Sequence, residues 1–198
     1  MSKESYSSLT ETELFESLNH VLSGDAEDHR RRRIRGLEEL QRRLQSGSLQ
    51  NIDLCIVTLV KMSISQGRSM PVSSLLVNCL LLLTTKHENA FQKILECLKG
   101  REGKLFIVFA RFASKLEDYE KKKLAITPLM KFIVSQDNIN SVGIKETYGC
   151  LTNLGNQRLG NEVVKQSSQH LDSLNICAVL YSVRLCSKFA DQSLLPRL

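Results

Sequence analysis

Apolar residues return along this chain at intervals of three and four, and no stretch alternates residue by residue as a half-buried strand would. The spacing predicts helix nearly throughout. Leu14, Phe15, Leu18, Val21 and Leu22 fall on one helical face after Thr10. Thr10 and Glu13 have the spacing of a reciprocal cap, in which each side chain accepts from the other's backbone amide, and Gly24 stands where that helix should end. A second helix is expected over about 28–46 and a third over about 49–65. Pro71 suits a first helical position and opens a very apolar helix over 72–85. Further helices are expected over 91–98, 105–116, 124–134, 142–154, 159–167 and 174–189, separated by the short links LKGREG, LEDYE, QDN and GNQR. The reading is all-α, about ten or eleven helices joined by turns too short to separate them into independent domains.

Helices joined in this way pack on their neighbours as a bundle or as a stack of repeats. A weak repetition favours the stack. LLVNCLLLLTTKHENAFQKIL, LFIVFARFASKLEDYEKKKL and YGCLTNLGNQRLGNEVVKQ share a pattern: an apolar helix, a small-residue break, then a helix with a basic or amide-rich face. Residues 1–48 read as a pair of N-terminal capping helices with an arginine-rich face, and 49–198 as degenerate repeats.

The segment ITPLMKFIVSQDNINSVGIKETYGCLTNLGNQRLGNEVVKQ, residues 126–166, resembles one armadillo repeat running into the next. Thr127–Pro128–Leu129 resembles the start of that family's second helix, SQDN its following turn, CLTNLG the end of its third helix, and NEVVKQ the helix after. SLLPRL at the end resembles the start of a further second helix, so the last repeat is expected to be cut short. Its Leu194, Leu195 and Leu198 would then be exposed or covered by another chain. HEAT-type repeats are similar to residues 49–116. The resemblance implies a right-handed α-solenoid with third helices lining a concave groove. In it, Asn153 matches the asparagine that holds a partner's extended backbone, a role suited to an amide that both donates and accepts. Where the peptide-binding nuclear-import adaptors of this family place a tryptophan, four residues earlier, this chain has Gly149, with Tyr148 beside it. A second reading has Asn153 only tying together the turn after its helix.

The second helix carries the most distinctive chemistry. Ile34, Leu37, Leu40 and Leu44 form its apolar stripe, and Arg31, Arg32, Arg35, Arg42 and Arg43 are expected on the opposite face, with Arg30 and Arg33 flanking the stripe. Asp25, Glu27 and Asp28 upstream offset the unfavourable placing of cations at a helix start. Three readings stand for the arginine face: a solvated surface, a contact for an acidic protein surface or phosphates, or a nuclear-import signal. Lys121–Lys123 come after Glu117, Asp118 and Glu120 in the order that favours helical ion pairs.

Charge, cysteine and motif content narrow the function classes. The net charge of +6 divides into −1 over residues 1–50 and +7 over the remainder, which fits acidic partners or ordinary solubility. Nucleic acid is an alternative partner, but aromatic residues are not interleaved with the basic clusters, so stacked bases have no platform. Cys55, Cys79, Cys97, Cys150, Cys177 and Cys186 lie in apolar helical stretches without Cys-x-x-Cys pairing, and the opening MSKESYSSLTETE has no apolar signal region. Free, buried thiols in the cytoplasm or nucleus are expected, and no apolar run is long enough to span a bilayer. His20, His29, His87 and His170 stand apart from other metal ligands, and GREG and GNQRLG read as turns rather than phosphate loops. The expectation is a non-enzymatic scaffold or adaptor without cofactor or metal, binding a peptide or helix of a partner protein.

Overall fold

The computed structural model describes residues 6–20, 27–66, 69–99, 104–139 and 141–189; the side chains of Glu27, Asp28, Gln66 and Lys104 lie outside that description. The described residues are helical, with no strand among them. A single 3-10 turn, Tyr6–Ser8, precedes α1 (Glu11–His20), α2 (Glu27–Ser46), α3 (Ile52–Gln66), α4 (Met70–Lys86) and α5 (Ala90–Leu98). Then come α6 (Lys104–Ser114), α7 (Tyr119–Val134), α8 (Val142–Leu154), α9 (Gly160–Ser168) and α10 (Ile176–Phe189). Contacts gather the chain into two compact units, 1–108 and 109–198, whose boundary falls within α6.

Local chemistry sets most of the boundaries. The Thr10 backbone N–H donates to Glu13 Oε2 at 2.7 Å and the Glu13 N–H to Thr10 Oγ1 at 3.3 Å, so the reciprocal cap of α1 forms as its spacing predicts. Gly47, at φ 72°, stops α2 in the left-handed region that glycine adopts without strain. Asn51 caps α3 through the Leu54 N–H at 3.0 Å, Asp118 caps α7 through Lys121, and Ser141 caps α8 through Ile144. α7 departs from the sequence reading. It begins at Tyr119, not Leu124, and Thr127–Pro128–Leu129 lies inside it rather than opening a helix. The proline ring removes the donor that Leu124 would have used. Leu124 and Thr127 are both exposed, so water can replace that hydrogen bond and the helix continues. Gly24, Asp25, Leu194, Leu195 and Leu198 lie outside the described residues.

Within the first unit, α2 packs on α4, and α3 lies against α1, α4 and α5. Leu14, Phe15, Leu18, Leu37, Leu40, Leu44, Leu59, Leu76 and Leu83 fill the core. Within the second, α7 packs on α8, α9 and α10, and Phe112, Ile126, Leu129, Ile133, Leu151, Leu154 and Leu185 are buried. Polar contacts between distant parts of the chain gather at sequence separations of 34 to 42 residues. Glu11 reaches Gln50 and Asn51, 39 and 40 residues on; Leu37 O meets Cys79, 42 on; Asp53 pairs with Lys93, 40 on. In the second unit Thr127 meets Gln166, 39 on, Gln136 meets Asn175, 39 on, and Ile139 O accepts from the Tyr181 hydroxyl, 42 on. A shorter span, 22 residues, separates Val164 and Cys186, where the consecutive helices α9 and α10 meet.

The order of these contacts fixes direction. Leu37 with Cys79 is succeeded by Gln45 with Lys86, and Thr127 with Gln166 by Met130 with Ser167. The register rises on both partners, so α2 and α4 run parallel, and so do α7 and α9. Within each unit these next-but-one helices are therefore side-by-side neighbours.

All six cysteines are thiols rather than disulfides; Cys55, Cys79, Cys150 and Cys177 are buried, whereas Cys97 and Cys186 are partly exposed. Burial pushes the Cys79 thiol up to about 12 and Cys150 up to about 11, and it raises Cys55 and Cys177 as well. The buried thiols thus stay protonated and unreactive at neutral pH. A thiol reagent such as dithionitrobenzoate is expected to label Cys97 and Cys186 first in the native protein, and the other four only on unfolding.

Candidate functional site

The second unit carries a groove of about 480 Å³ between α6 and α8. Its lining comes from Ala110, Arg111, Ser114 and Lys115 of α6 and the segment just after it, and from Val142, Lys145, Glu146, Gly149, Cys150 and Asn153 of α8. On α8 these positions are spaced three, one, three, one and three apart, a single helical stripe. The Arg111 guanidinium donates to Glu146 Oε1 at 2.5 Å, and the Ser114 hydroxyl donates to Ala110 O at 2.9 Å within α6. The stripe from Val142 to Asn153 is about 16 Å long at the helical rise.

Two residues singled out by sequence meet here. Gly149 is exposed, and a methyl group built on it meets nothing within 4 Å. Asn153 is half-buried one turn further on, with Oδ1 accepting from Gln157 Nε2 at 3.1 Å. So the amide oxygen does tie down the turn after its helix, while the same residue lines the groove. Tyr148 is not part of this lining. Its ring packs 5.2 Å from that of Tyr181, whose hydroxyl donates to Ile139 O at 3.0 Å, and it serves as packing rather than as an exposed aromatic platform.

A break in the helix beyond Asn153 holds that end of the groove. Gln157 (φ −91°, ψ 38°) and Arg158 (φ 75°, ψ 8°) interrupt the chain between α8 and α9. Arg158 is in the left-handed region, which costs an L-residue roughly 1–2 kcal/mol. Arg158→Gly is expected to raise stability by up to about 1 kcal/mol, and Arg158→Val to lower it, because a β-branched side chain is an outlier there. Chemical denaturation of the two variants checks this.

Charge in the groove is uneven. Arg111, Lys115 and Lys145 face one carboxylate, Glu146, and the two lysines are exposed. Val142 adds an exposed apolar side chain at the start of α8. Sequence reasoning missed Arg111, Lys115 and Lys145, because nothing local marks α6 as the neighbour of α8.

The arginine face of α2 needs correction. Arg43 does not project outward with Arg31, Arg32, Arg35 and Arg42; it is 9% exposed. Its guanidinium donates to Leu9 O at 2.6 Å, to Tyr6 O at 3.2 Å and to Glu39 Oε1 at 2.7 Å. The segment 6–9 lies over this part of α2, converting an outward position into a buried one. Arg33 is buried too, whereas Arg31, Arg32 and Arg35 are exposed. Arg42 is exposed and held by Glu39 through two hydrogen bonds of 2.8 and 2.7 Å. Those bonds, chiefly, keep the Glu39 carboxyl below its ordinary range.

Among the described residues no group of three or more His, Cys, Asp or Glu side chains is placed to hold a metal ion, and no helix is long and apolar enough to cross a membrane. Comparison with known proteins returns no matching family model, no matching curated protein and no matching solved structure.

Proposed function

We propose that this chain is a non-enzymatic protein-binding scaffold of the cytoplasm or nucleus, which holds an extended segment of a partner protein in the groove between α6 and α8. The observation that carries this reading is the open stripe of α8, where Gly149 leaves backbone-sized space beside the amide of Asn153. An extended chain advances about 3.3 Å per residue, so the stripe matches about five residues of peptide. Asn153 would exchange its Gln157 contact for the partner's backbone, or offer its amide hydrogens while keeping it.

The recurring separation of about 40 residues and the parallel next-but-one helices support stacked helix pairs within each unit, the arrangement of HEAT-like and armadillo-like solenoids. Armadillo units have three helices, and between α6 and α8 there is one, α7, in which the segment resembling a second-helix start is internal. Helix pairs are therefore favoured here. Such a stack presents a surface without needing cofactor or metal.

Selection of random dodecapeptides on the whole chain tests the reading. Peptides should be recovered, and Asn153→Ala should weaken them about tenfold, the cost of a lost backbone hydrogen bond in a partly desolvated site. Recovery of peptides indifferent to Asn153, or of none, would overturn it.

A second reading has the exposed Arg31, Arg32 and Arg35 touching an acidic surface or nucleic-acid phosphates. Duplex DNA affinity would then fall with salt, and each arginine replaced by alanine should reduce the log–log slope by about 0.9. An unchanged slope removes the nucleic-acid form of this reading.

A further inference from the structure

We infer that the occupant of the α6–α8 groove is an acidic segment, one that places carboxylates between Lys115 and Lys145. This deepens the groove reading and rests on it. Charge complementarity is the argument: three cations and one anion line the groove, leaving it two positive charges in excess. The anion is not idle. Glu146 is paired with Arg111 across the groove, so this pair bridges the two helices and partly neutralises the wall between them. Lys115 and Lys145 are both exposed, one contributed from each side, and their ammonium groups can move to meet an incoming carboxylate.

Polar and apolar contacts would share the work along the stripe. Val142 gives an exposed apolar contact, Gly149 admits the peptide backbone, and Asn153 reads that backbone rather than a side chain. A nucleic-acid strand fits less well. Its phosphates would run past Glu146, and the groove lining includes no aromatic ring on which bases could stack.

The charge of Glu146 makes the inference testable by a gain as well as a loss. An arriving carboxylate is repelled by Glu146 and attracted by the three cations around it. Glu146→Gln removes the repulsion and leaves a side chain able to hydrogen-bond Arg111. It should tighten acidic peptides several-fold, an effect that damage to the fold would not produce.

The experiment uses peptides selected from a random library on the whole chain, measured by fluorescence anisotropy at two salt concentrations, with oligo-dT as a nucleic-acid probe. The expected result is enrichment of Asp and Glu and affinity that falls with salt. Lys115→Glu with Lys145→Glu should weaken binding at least about tenfold, as reversal of two contacting charges implies, while circular dichroism stays unchanged. Glu146→Gln should tighten it. Peptides that depend on Asn153 but are neutral or basic, and ignore the lysine reversals, would overturn this inference and leave the groove reading standing. Tighter binding of oligo-dT than of any selected peptide would overturn it in favour of nucleic acid. Failure to select any peptide would overturn both.

Discussion

Replacing Arg43 with methionine is expected to lower stability by about 3 kcal/mol, the cost of breaking a buried ion pair from one side. The size of the effect comes from what the guanidinium holds. Two backbone carbonyls, Tyr6 O and Leu9 O, lose a charged donor, and Glu39, 8% exposed, loses one of its two arginines. A hydrogen bond to a charged group is worth about 1.5–3 kcal/mol net, and Arg42 still partners Glu39, which keeps the total from rising further. Arg42→Ala, on the exposed side of the same carboxylate, should cost markedly less, because solvent screens that pair. Urea denaturation of both variants measures the contrast, and equal effects would contradict the burial of Arg43.

The same cluster has a pH signature. The folded Glu39 carboxyl titrates below its ordinary value of 4.5, held down first by the Arg42 hydrogen bond. Its contribution is therefore fully present above about pH 4.5 and is lost as pH falls through the lower, folded value. Glu39→Gln should flatten that part of the acid limb.

Gly155→Ala is expected to destabilise the second unit by about 1–3 kcal/mol, whereas Gly149→Ala should stabilise it by about 0.5–1 kcal/mol. The two glycines share the α8 end of this unit and differ in what surrounds them. A Cβ on Gly155 would sit 2.5 to 2.9 Å from three ring atoms of Phe189, closer than packed carbons come. The phenyl ring is stiff, so it must swing away from the α8–α9 junction or push that junction aside. At Gly149 the added methyl meets open space, and alanine removes the entropic penalty of glycine within a helix. Thermal unfolding of the pair should thus move in opposite directions, and a shared sign would show that one of these environments is misplaced.

Helix-level features are legible in the sequence because they are local. The Thr10–Glu13 cap, the stripe of Leu37, Leu40 and Leu44, and the bounds of α8 each depend on residues within a turn or two of one another. Arg43 defeats a helical wheel, which describes a residue against its own helix and says nothing of the segment 6–9 that lies over it. Pro128 reads as a start because proline usually marks one; exposure of the Leu124 and Thr127 face is what lets α7 continue through it. Half of the candidate groove is visible in sequence, since Gly149 and Asn153 belong to one stripe. The other half is not. Arg111 and Lys115 reach that stripe only through the approach of α6 to α8, where Arg111 and Glu146 are 35 residues apart. Dissimilar side chains at corresponding places leave little trace of that repeat in the sequence.

Backbone amide resonances, followed as a selected peptide is added to the isotope-labelled chain, test the central claim most directly. If the groove is the binding site, shifts should concentrate in 110–115 and 142–153, and with Asn153→Ala they should need about tenfold more peptide to reach the same size. Shifts gathered instead on the arginine face of α2, or spread without a focus, would contradict it.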